Sequence, residues 1–201
     1  MGQARGVTGH TVLQLPAPPL EAWVRERTRS YDPGFVSADP RFGHAHVTAL
    51  APFAPAPSAN DLAEVGRIAA ATAPMAVRLA DLGQFPNGII HLRPEPDGPL
   101  RDLTEALVAA FPDFPPYEGR FGPRVDPHLT LDAASTTVSL ESTRMLLGDV
   151  VPVTCTLTRL QLAWWESDRC RVLHEWPLGR PGRARPSPGG ALDEAPFPQH
   201  P

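Results

Sequence analysis

Apolar and polar positions alternate in short runs along the first half of the chain, and between these runs the apolar positions recur with helical spacing. Alternation with a period of two is typical of half-buried strands, whereas recurrence every three to four residues is typical of amphipathic helices. In chain order, the pattern predicts a strand over 11–15, a helix over 20–31, a strand over 44–50, a helix from a capping box at 58–61 to about 72, and a strand from 75.

The second half repeats this order of elements. It predicts a strand over 89–92, a helix over 100–111, a strand over 128–131, a helix over 135–147, a strand from 153 and a last hairpin arm over 169–176. In both halves the final apolar series changes parity, between Leu79 and Leu82 and between Leu157 and Leu160, as at a β-bulge. We therefore expect an internal duplication, with related halves at about 10–85 and 86–178.

Composition and charge narrow the function classes. The hydrophobic fraction of 42% over 201 residues suits a two-lobed domain over 1–179, whereas 180–201 is rich in Pro, Gly and charge and is expected to be a disordered tail. The net charge is −4, which argues against binding of long nucleic acid through its backbone charge. Every basic residue is Arg, and one or two phosphates could still bind in an Arg-lined cleft.

The expected compartment is the cytoplasm, because neither a secretory signal nor an apolar run of about 20 residues is predicted. Cys155 and Cys170 are expected on two arms of one hairpin, at unequal distances from a turn near Ser167, and so are not expected to form a disulfide.

A His-x-Thr sequence occurs on one predicted strand of each half. The two copies are His46-x-Thr48 and His128-x-Thr130. Residues i and i+2 of a strand share a face, so each motif presents one imidazole and one hydroxyl while its middle residue points to the core. A single motif is expected by chance, but two copies at equivalent places of a repeat favour a functional site.

Two such pairs facing each other suit phosphodiester cleavage without a metal. A neutral histidine can take a proton from the attacking oxygen, and a protonated histidine can give one to the leaving oxygen. The hydroxyls can bond the non-bridging oxygens as charge develops. The residues themselves leave open which histidine is the acid and which the base.

The phrases at 46–53, HVTALAPF, and at 127–131, PHLTL, resemble the paired motifs of the two-histidine phosphoesterase superfamily, most closely its bacterial 2′-5′ RNA ligase-like, RNA cyclic phosphodiesterase branch. The resemblance covers most of 10–178. It implies an α+β, bilobal duplicated fold in which antiparallel sheets line a central groove with helices outside. It also implies hydrolysis or transfer at 2′,3′-cyclic or 2′-linked phosphodiesters, with His46, Thr48, His128 and Thr130 in catalytic positions. Ala49 departs from the motif, since a bulkier apolar residue is usual there.

Other residues are candidates for substrate binding, although core or solvated roles remain open for them. They are Phe53, Tyr117 and Phe121 for stacking on a base, and Arg120 and Arg124 for a terminal phosphate. The expected substrate is an RNA end, an oligonucleotide or a small cyclic nucleotide, bound by a monomer with no cofactor.

Two other functions remain possible. His44 shares the predicted face of His46, so His44, His46 and His128 are the alternative for a metal-dependent enzyme, although a place at the groove rim is favoured for His44. A structural role is favoured for His91. The second alternative is a non-catalytic nucleotide-binding module.

Overall fold

The computed structural model describes residues 9–122 and 125–179, which contain eight strands and four α-helices. The strands are β1 (His10–Pro16), β2 (His46–Leu50), β3 (Met75–Gln84), β4 (Ile89–Glu95), β5 (Leu129–Ala133), β6 (Val153–Leu157), β7 (Arg159–Trp165) and β8 (Arg171–Pro177). The helices are α1 (Glu21–Tyr31), α2 (Ala59–Ala71), α3 (Gly98–Ala110) and α4 (Leu140–Leu147). The prediction for 180–201 lies outside the described residues.

All eight strands form one antiparallel sheet in the order β6-β3-β4-β5-β2-β1-β7-β8. The two strands that carry the His-x-Thr motifs, β2 and β5, are neighbours at its centre, where Val47 pairs with Leu129. The expected α+β class with antiparallel strands is confirmed, and the halves share a single sheet. The inner order β4-β5-β2-β1 is symmetric about the β2–β5 contact, and the duplication itself stays a prediction.

The sheet is strongly curled, because one residue, Thr158, separates β6 at one edge from β7 near the other. The parity change at Leu82 is confirmed as a register shift between Leu79 and Asp81. The bulge expected before Leu160 is wrong, since β6 ends there and the chain joins the far side of the sheet.

The same crossing corrects the expected place of one cysteine. Cys170 lies just before β8, in the hairpin that β8 forms with β7, but Cys155 lies on β6 and pairs with Val77 of β3. Both cysteines are buried free thiols.

Capping residues determine where two helices begin. Ser58 accepts a hydrogen bond from the backbone of Asp61 and opens α2 as predicted. Helix α4 was expected from 135, but Ser139 caps it by accepting from the backbone of Ser142. Ser135 instead bonds the backbone of Val138 in a turn, because serine serves turns and caps alike.

A register shift follows the threonine of each motif. In the β1–β2 pairing Leu50 opposes Leu13 while Thr48 opposes Gln14, so Ala49 has no partner opposite it. In the β4–β5 pairing the extra residue is Leu131. Each bulge lets two consecutive residues after the threonine face the core. Ala49 is buried in that core, as expected for its position in the motif.

Within the described residues, none of the helices is both long enough and apolar enough to cross a membrane.

Candidate active site

The His-x-Thr strands present their polar residues on one side and their apolar residues on the other. On β2 the side chains of His46 and Thr48 are partly exposed, while Val47 and Ala49 are buried in the core. This alternation is the one that the period of two predicts. We call the polar side of β2 and β5 the groove face.

The two motifs lie in opposite directions across the centre of the sheet. Because the strands are antiparallel and Val47 pairs with Leu129, the histidine of each motif comes opposite the threonine of the other. The opposed pairs are His46 with Thr130 and Thr48 with His128. The groove face therefore holds two imidazoles and two hydroxyls in a two-fold arrangement.

Both catalytic candidates have the same ring tautomer. Nδ1 of His46 lies 2.9 Å from the carbonyl oxygen of His44, and Nδ1 of His128 lies 2.8 Å from that of Asp126. A carbonyl oxygen only accepts, so Nδ1 donates and the lone pair of each neutral ring lies on Nε2. Each Nε2 is therefore the atom that can exchange a proton with a substrate.

The surroundings lower the pKa of both imidazoles, but that of His46 more strongly. Burial lowers the pKa of His46 to about 4, so this ring is neutral at neutral pH. Burial also lowers the pKa of His128, but the backbone hydrogen bond to Asp126 and the negative charge of that residue act in the opposite direction. The Asp126 carboxylate is itself paired with Arg101, at 2.8 Å.

An aromatic ring stands beside each histidine. Trp165 lies with its ring centroid 5.3 Å from His46, and its Nε1 donates to Gln14 at 2.9 Å. Phe85 contacts His128 edge-to-face at 4.9 Å. The sequence left open which tryptophan of the 164–165 pair faces the groove, and it pointed to neither Phe85 nor Gln14. Phe85 comes directly after β3 and Trp165 ends β7, at similar distances from Pro74 and Pro152, and this spacing in the predicted repeat is the signal that could have paired them.

His91 is buried behind this second aromatic ring. It stacks on Phe85 with a centroid distance of 3.9 Å, lies 5.5 Å from the ring of His128, and occupies the space above Gly83. In the β4–β5 pairing it is opposite Thr130. The structural role favoured for His91 agrees with its complete burial.

Tyr117 joins the groove face from the segment before the second motif. Its phenol lies near Thr48, and burial raises the pKa of that phenol. Its backbone has a positive φ of 50° and donates to the carbonyl of Ala51 at 2.6 Å. Tyr117, Thr48 and His128 line a cavity of about 10 Å³, roughly the space of one water molecule. Phe121 is exposed and contacts Tyr117 at 5.6 Å.

The remaining substrate-binding candidates are Phe53, Arg120 and Arg124. Phe53 is wrong as a base-stacking residue, because it is buried and packs edge-to-face on Phe111 at 5.0 Å. Arg120 is exposed and forms an ion pair with Glu118. Arg124 lies outside the described residues.

His44 does not line the groove. Its ring is buried, Nε2 accepts from the backbone N–H of Ser37 at 3.0 Å, and Nδ1 donates to Glu21 at 2.6 Å. Both ring nitrogens are thus occupied, which contradicts a rim position and removes His44 from a metal site with His46 and His128. Within 9–122 and 125–179, no three or more His, Cys, Asp or Glu side chains form a group suited to a metal ion.

Comparison with known proteins places this geometry in a family. Structures with a similar fold include TT0787 of Thermus thermophilus (TM-score 0.56, 23% identity, 84% of this chain and 97% of that one) and Escherichia coli LigT complexed with 3′-AMP (TM-score 0.53, 18% identity, 85% and 98%). A structure described as a phosphoesterase has a TM-score of 0.50 at 17% identity, over 85% and 98%. No curated protein matches the sequence significantly. The model of the 2′-5′ RNA ligase superfamily matches residues 16–169, well over half of the sequence, and the chain therefore belongs to that superfamily of two-histidine phosphoesterases.

Proposed function

We propose that this protein is a metal-independent phosphoesterase that hydrolyses or transfers 2′,3′-cyclic or 2′-linked phosphodiesters at RNA ends or in small nucleotides. The observation that carries the proposal is the two-fold arrangement of His46, Thr48, His128 and Thr130 across the β2–β5 pair. One chain supplies all four groups, which supports a site that is complete in a monomer.

His46 is the base in this proposal. Its burial keeps the ring neutral, and its Nε2 lone pair takes the proton of the attacking water or hydroxyl as the new P–O bond forms. His128 is the acid in this proposal, because burial lowers its pKa less than that of His46, and the Asp126 carboxylate favours its protonated form. It gives its proton to the ester oxygen as the old P–O bond breaks. His46 ends protonated and His128 neutral, and exchange with water restores both.

The hydroxyl groups hold the phosphate during this exchange. Thr48 and Thr130 each stand opposite a histidine, so a phosphate placed between the imidazoles is within reach of both hydroxyls. Tyr117 shares the cavity with Thr48 and His128 and offers an aromatic ring and a third hydroxyl. Trp165 and Phe85 flank the two histidines as apolar walls.

A nucleotide substrate has support from a structural relative. Escherichia coli LigT, which shares the fold, has been solved in complex with 3′-AMP. Rings such as Tyr117 and Phe121 can stack on a base regardless of its identity. The substrates to test are 2′,3′-cyclic mononucleotides, RNA with a cyclic phosphate end, and 2′-5′ oligonucleotides.

The test is the rate of the best of these substrates with His46→Ala and His128→Ala. Each change should reduce the rate by about 10² to 10⁴, the usual contribution of general acid–base catalysis, and the double variant should be little slower than either single one. His174→Ala, on the exposed strand β8, is the matched control and should keep the wild-type rate. Wild-type rates in both active-site variants would refute the proposal.

A second substrate distinguishes the two roles. A nucleoside 2′-phosphodiester with a 4-nitrophenyl leaving group needs no proton on departure. His128→Ala should therefore recover most of its rate on this substrate, whereas His46→Ala should not. The reverse pattern would exchange the two assignments.

A further inference from the structure

Glu21, the first residue of α1, holds the segment that leads into β2. One carboxylate oxygen accepts from Nδ1 of His44 at 2.6 Å, and the other accepts from the backbone N–H of Ala45 at 3.0 Å. Burial alone would raise the pKa of Glu21, but these hydrogen bonds and the nearby His44 lower it overall, so the group is a carboxylate at neutral pH. The carboxylate thus connects the helix to the two residues before His46.

His44 connects Glu21 to His46 through its ring and its backbone carbonyl. Its own ring has one possible tautomer, because the N–H of Ser37 donates to Nε2 and leaves Nδ1 to donate to Glu21. The ring is fully buried and packs edge-to-face on Phe42 at 5.0 Å. The carbonyl of the same residue accepts from Nδ1 of His46 at 2.9 Å. The position of this carbonyl determines whether His46 keeps its hydrogen on Nδ1.

We propose that Glu21 and His44 are positioning residues that keep the lone pair of His46 on Nε2, where it faces the groove. A carboxylate is required at 21, because the two groups that it meets are both donors. A glutamine amide can accept from only one of them, and its NH₂ group opposes the other. A buried donor left without an acceptor displaces the segment or the ring. The effect on catalysis rests on the proposed function, but the effect on the tautomer does not.

The second histidine provides an internal comparison. His128 also donates from Nδ1 to the carbonyl two residues earlier, that of Asp126. The side chain of Asp126 is exposed and bonds Arg101 of α3 at 2.8 Å. Neither group touches Glu21, so a change at 21 should alter the tautomer of His46 and leave that of His128 unaltered.

The experiment uses the full chain labelled with ¹⁵N-histidine, and long-range ¹H–¹⁵N correlation spectra at pH 7 to read the protonated nitrogen of each ring. In the wild type, His46 and His128 should both carry hydrogen on Nδ1. In Glu21→Gln, the Nε2–H form of His46 should become visible while His128 does not change. Glu26→Gln is the matched control, since Glu26 lies on the same helix and pairs with Arg29 at the surface.

Two results would overturn the proposal. One is an Nε2–H tautomer of His46 in the wild type. This measurement does not depend on whether any variant folds. The other is an unchanged His46 spectrum in a folded Glu21→Gln protein.

Kinetics add a separate readout that a merely structural role would not produce. In Glu21→Gln, kcat should fall about 10-fold, and KM should stay within about 2-fold of the wild-type value. At histidine metal ligands, loss of the group that hydrogen-bonds the second ring nitrogen lowers metal affinity or activity by about 10- to 100-fold, and the expected effect is at the low end of that range. An unchanged kcat alongside a changed tautomer would overturn the catalytic part of the proposal. A wild type that cleaves none of the substrates would refute the proposed function and leave the spectral result standing.

Discussion

The partly buried imidazole of His46 should make the stability of the protein depend on pH, and one substitution should remove this dependence. In the unfolded chain this histidine has an ordinary pKa of about 6.5. In the folded protein, burial lowers the pKa to about 4. Between these two values the unfolded state binds a proton that the folded state does not, so stability falls as the pH falls through this window.

The size of the effect follows from the two pKa values. The gap of about 2.5 is equivalent to roughly 3 kcal/mol once both states are protonated, below about pH 4. At pH 5 only the unfolded state is protonated, and the loss relative to pH 7 is about 2 kcal/mol. In His46→Asn the amide can still donate to the carbonyl of His44, but there is no group to titrate, so this contribution disappears.

The assay is urea unfolding of the wild type and His46→Asn at pH 7 and pH 5. The difference in unfolding free energy between the two proteins should change by about 2 kcal/mol between the two pH values, in favour of the variant at pH 5. Subtracting the unfolding free energy of the variant from that of the wild type removes the contributions of the other titrating groups. A difference that stays constant within about 0.5 kcal/mol would show that His46 is not held neutral by burial, and the assignment of His46 as base would lose its support.

Three further changes have expected outcomes. Arg27→Met leaves the buried carboxylate of Asp132 without its ion-pair partner and should lower the unfolding free energy by about 3 kcal/mol in urea, most of which the added change Asp132→Leu should restore. A chain that ends after Gly179 should keep its melting temperature within about 2 °C and its activity, because the composition of 180–201 cannot support a core; a larger loss by calorimetry would assign this segment a structural role. Treatment with a chelator should not reduce phosphodiesterase activity, since the proposed proton transfers use imidazoles alone; loss that zinc or manganese restores would replace the mechanism.

The strands that carry the His-x-Thr motifs could be predicted from the sequence because alternation reports directly which side of a strand a residue occupies. His46 and Thr48 alternate with buried Val47 and Ala49, and this local pattern needs no knowledge of the rest of the fold. The parity change before Leu82 was readable for the same reason.

Features that depend on distant contacts were not predictable in this way. A change of parity in an apolar series looks the same in the sequence whether a β-bulge or the end of a strand causes it. At Thr158 the cause is the end of β6 and the start of β7. His44 was assigned to the face of His46, but β2 begins at His46, so the rule for strand faces does not extend to it. Its partner Glu21 lies 23 positions earlier, and no local pattern connects the two.

The pairing of β1 has a consequence for how the protein can be made. One edge of β1 pairs with β2, but the other pairs with β7, so that His10 meets Trp165. During synthesis, the second edge of the largely apolar β1 therefore stays uncovered until about 150 more residues, including β7, have left the ribosome. Strand β3 likewise lacks β6 for most of this time. Open edges of this kind can pair with other nascent chains, and slow translation between the two halves would prolong the exposure.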